Sequence, residues 1–438
     1  MSFNVLHDIW WALIMIGIMI LIHELGHYWA ARFFDVKVDT FSFGFGPRLF
    51  GFKKGETDFR FSLILLGGYV KMVGEQPGDE HASDPRSFLN KPRWQRLIIV
   101  FAGPAMNIIL AVAVLTGLFM VRFPKIPSSP SPEIGYIVPN SAAAKAGLNE
   151  GDRIVQIGDS ANPTWEDIYV KEVASAGHPL SVWIVRNGER KLVTVTPVLD
   201  PKTGAGFAGW GEQSEIEIAS ALVDSPAYKA GLKPGDIMVS VDSQPIHSTP
   251  KVHDIINRDG GKPVDVVFSR NGKLMTAHLT PAMSENGGTK EWLIGVKLQP
   301  KVVLVSLPFP EALSESVREN AKNATFIYQF LRGVAERRMS PKSLEGPLRI
   351  VQISGEEARE GPIPYLGLMA GLSLNLAIVN LLPIPILDGA TIFMLILEMF
   401  MRRDLSLRFK EAAFRLGFVF LMAVVAFVLY NDISKLAG

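Results

Sequence analysis

An uncharged run of fourteen residues, Ile9–Ile22, leads directly into the pattern His-Glu-Leu-Gly-His at positions 23–27. Such a run predicts a membrane-spanning helix, and ionisable side chains within a span are costly to bury and usually functional. On a helix, this spacing places His23 and His27 one turn apart on one face, where they can bind zinc. Glu24 is then directed at a metal-bound water. We therefore expect a catalytic zinc site at membrane depth.

The N-terminal apolar run could instead be a secretory signal peptide, because it is short. However, no Lys or Arg precedes it, and no convincing small-residue cleavage site follows it before the charged loop. These features favour a retained membrane span.

Composition narrows the class of protein. The chain has 438 residues and a net charge of +1, so it lacks the basic surface typical of nucleic-acid binding. Hydrophobic residues make up 48% and charged residues 20%, which indicates membrane spans combined with polar domains. Cysteine is absent, so any zinc must be bound by histidine and carboxylate, while the compartment remains undecided.

Hydropathy predicts four membrane spans. The second is uncharged throughout, and the third is interrupted by prolines. A further apolar stretch, residues 390–401, is short and contains Glu398, which favours an interfacial helix or a continuation of the third span. The four predicted spans are Ile9–Phe34, Leu97–Val121, Tyr365–Leu387 and Phe414–Tyr430.

The distribution of basic residues predicts the orientation of the spans. Residues 32–96 contain eleven Lys and Arg, and the loop before the fourth span contains four more. The N-terminal tail has none, and the C-terminal tail has only Lys435. By the positive-inside rule, residues 35–96 and 402–413 are cytoplasmic, and both termini and the large middle region lie outside.

The middle region is a duplication. Residues 141–152 match residues 225–236, and Arg-Asn-Gly recurs at 186–188 and 270–272, all offset by 84 positions without a gap. Each copy has short strands, an Asn-Gly hairpin signal and a helix ending at Ala-Gly. The pattern resembles a bacterial-type PDZ domain, which binds a peptide as an added strand. Peptide binding and a rigid-spacer role remain alternatives for both copies.

Between the first two spans, glycine-punctuated segments predict a small β-sheet. The predicted strands are Val38–Phe45, Thr57–Ile64 and Tyr69–Val73. At membrane depth such a sheet must line a cavity or pair with another chain, because lipid cannot solvate an open backbone edge. An extended substrate would provide that pairing. The alternative is a small cytoplasmic hairpin. Farther along, Glu311–Arg338 is either an amphipathic surface helix or a connector.

A catalytic zinc site needs a third protein ligand. The other six histidines fall in polar segments, which leaves a carboxylate in an apolar segment, and Asp388 is the best candidate. Pro383 and Pro385 precede it and break the helix. Non-helical backbone is tolerated within the membrane only where it surrounds a polar site. The side-chain amide of Asn380 is a neutral hydrogen-bond donor for a substrate carbonyl group or oxyanion. The alternative for Asp388 is a helix N-cap.

These motifs together resemble the site-2 protease family of intramembrane zinc metalloproteases, in its form with two tandem PDZ domains. The resemblance rests on HELGH at 23–27 and on NLLPIPILDG at 380–389, on either side of the duplication. Further family marks are the segments Gly44–Pro47, Gly67–Met72, Phe101–Asn107 and Leu344–Pro347. The chain departs from the family pattern at Ser343, Ala390 and Thr391, outside the catalytic set.

The resemblance implies a role for each matching residue. His23, His27 and Asp388 would bind one Zn²⁺ ion, and Glu24 would be the general base. Substrate would be bound by residues of two segments, namely Asn380 in the third span and Gly67, Gly68 and Tyr69 in the sheet.

The resemblance also implies regulated intramembrane proteolysis in a bacterial inner membrane. The substrate would be a single-pass membrane protein in the lipid bilayer, such as a trimmed anti-sigma factor in the envelope stress response or a remnant signal peptide. The PDZ pair, on the periplasmic side with both termini, would filter substrates by size or bind peptides.

The predicted fold is therefore a multi-pass α-helical membrane protein with four transmembrane helices, a small membrane-associated β-sheet and two extracytoplasmic PDZ-like α/β domains. A membrane-anchored PDZ scaffold and a zinc transporter are the alternatives. A scaffold does not explain why histidines and carboxylates lie within membrane spans, and a transporter would need polar residues in the second and fourth spans.

The chain is predicted to divide into ten segments. They are 1–35, 36–96, 97–121, a linker 122–132, PDZ-like domains 133–215 and 216–300, a connector 301–364, and 365–389, 390–413 and 414–431.

Overall fold

A computed structural model describes residues 3–75, 84–121, 123–125, 132–200, 204–258, 260–286, 289–336 and 346–437. His81, Ser343 and Leu344 lie outside these residues, as does most of the predicted linker 122–132. The chain divides into two compact units. The first comprises Met1–Phe123, Val305–Tyr328 and Leu344–Gly438, and the second comprises Pro124–Leu304 and Gln329–Ser343.

The first unit begins with a long apolar helix, a β-hairpin and a second long helix. The elements are α1 (Phe3–Phe33), β1 (Val38–Lys54), β2 (Thr57–Met72), a 3₁₀ turn (Phe88–Asn90) and α2 (Arg93–Met120). α1 and α2 are uniformly apolar over most of their length, as membrane spans require.

In the part of it that the structure describes, the first PDZ-like copy contains short strands and two helices. After β3 (Phe123–Lys125), its elements are β4 (Ile134–Ile137), α3 (Ala142–Lys145), β5 (Arg153–Ile157), β6 (Ser160–Ala161), α4 (Trp165–Val173), β7 (Leu180–Arg186), β8 (Glu189–Val195), β9 (Val198–Leu199), β10 (Gly206–Phe207) and β11 (Trp210–Glu212). The sheet order is β6-β5-β7-β8, and β4 pairs with β11.

The second copy repeats this order of elements. They are β12 (Ile216–Ala221), α5 (Pro226–Lys229), β13 (Ile237–Val241), β14 (Gln244–Pro245), α6 (Thr249–Arg258), β15 (Val264–Arg270), β16 (Lys273–Leu279), β17 (Ala282–Asn286), β18 (Thr289–Leu293), β19 (Val296–Pro300) and β20 (Val303–Val305). Its main sheet runs β16-β15-β13-β12-β19.

The motifs that revealed the duplication make equivalent contacts in both copies. Arg186 binds the buried Asp152 at 2.6 Å, and Arg270 binds the buried Asp236 at 2.7 Å. In the first copy, Asn187 has a φ of 52° and the following glycine 84°, as a type I′ hairpin turn requires. The repeated residues therefore support the fold of each copy.

Among the described residues, five helices follow the second copy. They are α7 (Phe309–Ala335), α8 (Pro347–Glu360), α9 (Pro362–Leu381), α10 (Asp388–Met401) and α11 (Leu407–Ala437). Among the described residues, four helices are long and apolar enough to cross a membrane, namely α1, α2, α9 and α11. They overlap the four predicted spans, although α9 ends at Leu381, before the predicted end at Leu387. The short helix α10 follows the prolines as a separate element.

The three strand segments predicted in residues 38–73 all lie within β1 and β2 except for the terminal Val73, so the prediction of strands there is confirmed. The prediction that they are short, separate strands is wrong, because the structure has two long, bent strands. Residues 40–43 each have two partners, one in Asp58–Phe61 and one in Gly68–Lys71, so they lie in the centre of the sheet. Gly44 and Gly46, with φ values of 95° and 87°, let β1 bend where shorter strands were expected to end.

Candidate metal centre

Three side chains from distant parts of the chain converge within the first unit. His23 Nε2 lies 3.2 Å from His27 Nε2, and Asp388 Oδ2 lies 3.1 Å from the first and 3.6 Å from the second. Tetrahedral zinc with bonds of about 2.0–2.1 Å would separate its ligand atoms by roughly 3.3 Å. The three donor atoms and their spacing therefore fit a zinc ion. They belong to the residues predicted to bind it, namely His23 and His27 on α1 and Asp388 on α10.

Asp388 lies in a position where it could bind a metal ion with His23 and His27, and it does not cap its helix. The N-cap of α10 is Leu387, and no side-chain hydrogen bond caps this helix. Asp388 Oδ2 is buried and makes no hydrogen bond of regular geometry among the described residues. A buried carboxylate oxygen is stable only beside a proton or a cation, which a bound zinc ion would supply. The N-cap alternative is therefore wrong.

The chain between α9 and α10 turns sharply to deliver Asp388. Pro383 and Pro385 end α9 and cannot donate backbone hydrogen bonds. Gly389 is required at the next position, since a Cβ there would lie 2.2 Å from the carbonyl oxygen of Leu382. Ile386 has a φ of 89°, an outlier for a β-branched residue, so this connection is strained.

Two glycines let α2 approach the imidazoles closely. A Cβ on Gly26 would lie 2.2 Å from the carbonyl oxygen of Ala102, so α1 and α2 meet nearly backbone to backbone. A Cβ on Gly103 would lie 2.3 Å from His27 Nε2 and 2.9 Å from His23 Nε2. The α2 backbone thus forms one wall of the site, and a side chain at position 103 would occupy the ligand side of both rings.

α2 also provides hydrogen-bond partners for both rings. His27 Nδ1 lies 2.9 Å from the carbonyl oxygen of Ile99, and His23 Nδ1 lies 3.3 Å from Nδ2 of the fully buried Asn107. The segment Phe101–Asn107 is one of the family marks in the sequence, but none of its residues had a predicted role. An Asn and a Gly within an uncharged span were the signals that could have found them.

Glu24 faces the sheet. A Cβ on Gly68 would lie 3.0 Å from Glu24 Cγ, and the backbone of Val70 lies beside the Glu24 carboxylate. Gly67 packs against the ring of Phe45, where a Cβ would lie 2.0 Å from Cε2. Of the two glycines predicted to bind substrate, Gly68 thus lies next to the predicted base.

Tyr69 and Asn380 are the other two residues predicted to bind substrate. Tyr69 stacks on Phe45 with ring centroids 6.1 Å apart, and its hydroxyl accepts a hydrogen bond from Arg60. Asn380 is half-buried in the last turn of α9. Its substrate role stays a prediction.

Comparison with known proteins identifies the family. The profile of peptidase family M50 matches residues 11–424. The chain belongs to peptidase family M50. It is 31% identical to the regulator of sigma-E protease RseP of Salmonella typhimurium over 97% of this chain and 98% of that protein. It is also 31% identical to a putative zinc metalloprotease of Xylella fastidiosa over 98% of this chain and 99% of that one.

This M50 chain is a zinc metalloprotease and a multi-pass membrane protein. Among solved structures, the PDZ domain of an SdrC-like protein from Listeria monocytogenes is similar to a part of it, with 22% identity and a TM-score of 0.18. That match covers 20% of this chain and 90% of the other.

Proposed function

We propose that the protein hydrolyses a peptide bond within or next to the transmembrane segment of single-pass membrane proteins. The observation that carries this proposal is the convergence of His23, His27 and Asp388, since the two histidines belong to a membrane-spanning helix. Burying ionisable side chains at that depth costs free energy, so such residues in a membrane span are usually functional. Its three donor atoms leave a fourth position for water, as catalytic zinc sites do.

His23, His27 and Asp388 hold the zinc ion in this mechanism. When bound, zinc supplies the Lewis acidity that lets a water lose a proton near neutral pH. Glu24 accepts that proton and then transfers it to the leaving amine. Asn380 donates a hydrogen bond to the substrate carbonyl oxygen as negative charge develops there.

The sheet presents the substrate in an extended form. Gly68–Met72 of β2 pair with β1 on one side, and no second strand pairs with them among the described residues. An unwound substrate segment adds to this edge by backbone hydrogen bonds. The proximity of Gly68 to Glu24 supports this arrangement, because a strand on that edge would pass the predicted base.

The relatives named regulator of sigma-E protease suggest the biological role. The substrate is an anti-sigma factor already trimmed by another protease, or a remnant signal peptide. The protein lies in the inner membrane with both termini and the PDZ-like copies in the periplasm, where two bulky domains exclude untrimmed ectodomains. The basic residues of 32–96 and 402–413 support this orientation.

A cleavage assay tests the proposal. The full chain in liposomes is incubated with a single-pass substrate bearing a short or a long ectodomain, and the fragments are weighed by mass spectrometry. We expect a cut within the apolar segment of the short form. Glu24→Gln should retain zinc and lose at least about 10²-fold in rate, since general-base catalysis contributes about 10²–10⁴.

Glu411→Gln on α11 is the matched control and should cleave like the wild type, because Glu411 is exposed. Wild-type turnover by Glu24→Gln would refute the assignment of the base. A zinc-free wild type that does not cleave would instead favour a scaffold built around the PDZ-like copies.

A further inference from the structure

The hydrogen bond to His27 fixes which of its nitrogens can bind a metal. A backbone carbonyl oxygen only accepts hydrogen bonds, so the Ile99 contact of 2.9 Å places the proton on His27 Nδ1. Nε2 then has a free lone pair and faces His23 Nε2 and Asp388. Such outer contacts commonly set the tautomer and orientation of zinc-binding histidines.

His23 has an amide in the equivalent place. Its Nδ1 lies 3.3 Å from Nδ2 of Asn107, and Asn107 Oδ1 is buried without a hydrogen-bond partner among the described residues. The two ends of an amide are nearly equal in size, so a half-turn of the group exchanges them without changing the packing. The exchange places Oδ1 against His23 Nδ1 and gives the orphaned oxygen a donor.

The two amide orientations have opposite consequences for metal binding. If Nδ2 donates to His23 Nδ1, the ring proton is on Nε2, and no lone pair faces Asp388. If Oδ1 accepts from Nδ1–H, the Nε2 lone pair faces the ligand position. Only the second orientation is compatible with the zinc site. It gives the buried oxygen a hydrogen-bond donor and places Nδ2 where Oδ1 lies in the first orientation.

We propose that Asn107 is a positioning residue for the metal ligand His23, with its Oδ1 accepting the Nδ1 proton. This inference rests on the proposed zinc site. The backbone of Asn107 is held in place at this point, because its main-chain carbonyl oxygen accepts a hydrogen bond of 2.9 Å from the hydroxyl group of Ser373 on α9. Both residues are fully buried, so α1, α2 and α9 meet at this point.

The test measures zinc affinity by competition with a chelator on the purified full chain in detergent. Asn107→Leu keeps the branched arrangement of side-chain heavy atoms but removes the acceptor, and should lower zinc affinity by about 10–100-fold. Asn107→Asp keeps an acceptor and should stay within about threefold of the wild type, far from the 10–100-fold loss of a missing outer contact. Thr116→Val, which removes a buried hydroxyl elsewhere on α2, is the control and should leave affinity unchanged.

The visible absorption of the cobalt-substituted protein gives a second readout, since it reports ligand geometry at the metal. We expect an altered spectrum for Asn107→Leu and a wild-type spectrum for Asn107→Asp. Wild-type zinc affinity in Asn107→Leu would overturn the inference alone, as would an equal loss in both variants. A wild type that takes up no zinc would overturn the proposed function, and the inference with it.

Discussion

The carboxylate of Glu398 on α10 lies 2.6 Å from the ammonium group of Lys410 on α11. Glu398 is fully buried and also accepts a hydrogen bond of 3.0 Å from the backbone of Leu405. α10 begins at Asp388, so this ion pair anchors one end of the helix whose other end provides the predicted carboxylate ligand. The ion pair that stabilises the packing of α10 therefore also helps to hold Asp388 in position.

Removing the cation of this pair should destabilise the protein strongly. Lys410→Met leaves the carboxylate of Glu398 buried without a charge partner, and we expect a loss of about 3–5 kcal/mol in the free energy of unfolding. The double variant with Glu398→Gln should recover most of that loss. Denaturant unfolding in detergent, arranged as a double-mutant cycle, measures the coupling, and additive effects of the two changes would contradict it.

The carboxylate at position 388 should be indispensable for zinc. Asp388→Ala removes one of three ligands and should abolish stoichiometric zinc binding and cleavage together. Asp404→Ala, in the loop after α10, removes an exposed carboxylate that pairs with Arg93, and should retain zinc. Metal content by mass spectrometry compares the two variants, and full zinc occupancy in Asp388→Ala would exclude this residue as a ligand.

A single methyl group on α2 should block the site. Gly103→Ala places a Cβ 2.3 Å from His27 Nε2, closer than van der Waals contact allows, so zinc and activity should be lost. Gly117→Ala on the same helix meets nothing within 4 Å and should retain both. In soluble helices that change is worth up to about 1 kcal/mol of added stability. Normal zinc binding by Gly103→Ala would show that α2 can move away from the imidazoles.

The first PDZ-like copy should lose stability as pH rises. Burial raises the pKa of Glu172 to about 7 from an ordinary 4.5, although Ala208 and Trp210 donate hydrogen bonds that oppose the shift. The folded state therefore binds the proton more tightly than the unfolded state. The stabilisation is complete below pH 4.5 and is lost as pH rises through about 7. The shift corresponds to roughly 3 kcal/mol.

Hydrogen exchange of residues 204–212 in the full chain, corrected for the intrinsic pH dependence, measures this effect. Protection should fall between pH 5 and pH 8, a window that brackets the pKa of about 7. Glu172→Gln should remove most of the dependence. The second copy has the buried Ile256 at the equivalent position, so its protection should be less sensitive over the same range. A pH-independent wild type would contradict the prediction.

The sequence contained enough local information to predict several parts of this protein. HExxH determines its own geometry, because a helix brings residues four apart together. The repeat was visible at an offset of 84 residues because each copy needs the same turns, and Asp152 and Asp236 pair with equivalent arginines. The four spans followed from hydropathy alone.

Other features could not be predicted because they depend on contacts between segments distant in sequence. The two bent strands of residues 38–72 were expected as three, since glycine marks a bend as readily as a strand end. The roles of Gly103 and Asn107 were missed because a Gly and an Asn in an uncharged span mark a special position but do not show which helix that position faces.

The sequence by itself determined the helix that carries His23, Glu24 and His27, the duplicated copies and the candidate carboxylate Asp388. Only the tertiary structure decided that Asp388 faces the imidazoles and does not cap its helix, and that Gly68 lies beside Glu24. The physical reason is that hydropathy and local spacing act within one helix or strand. Which side chains meet between elements is set by close packing, here by glycines that let α1 and α2 nearly touch.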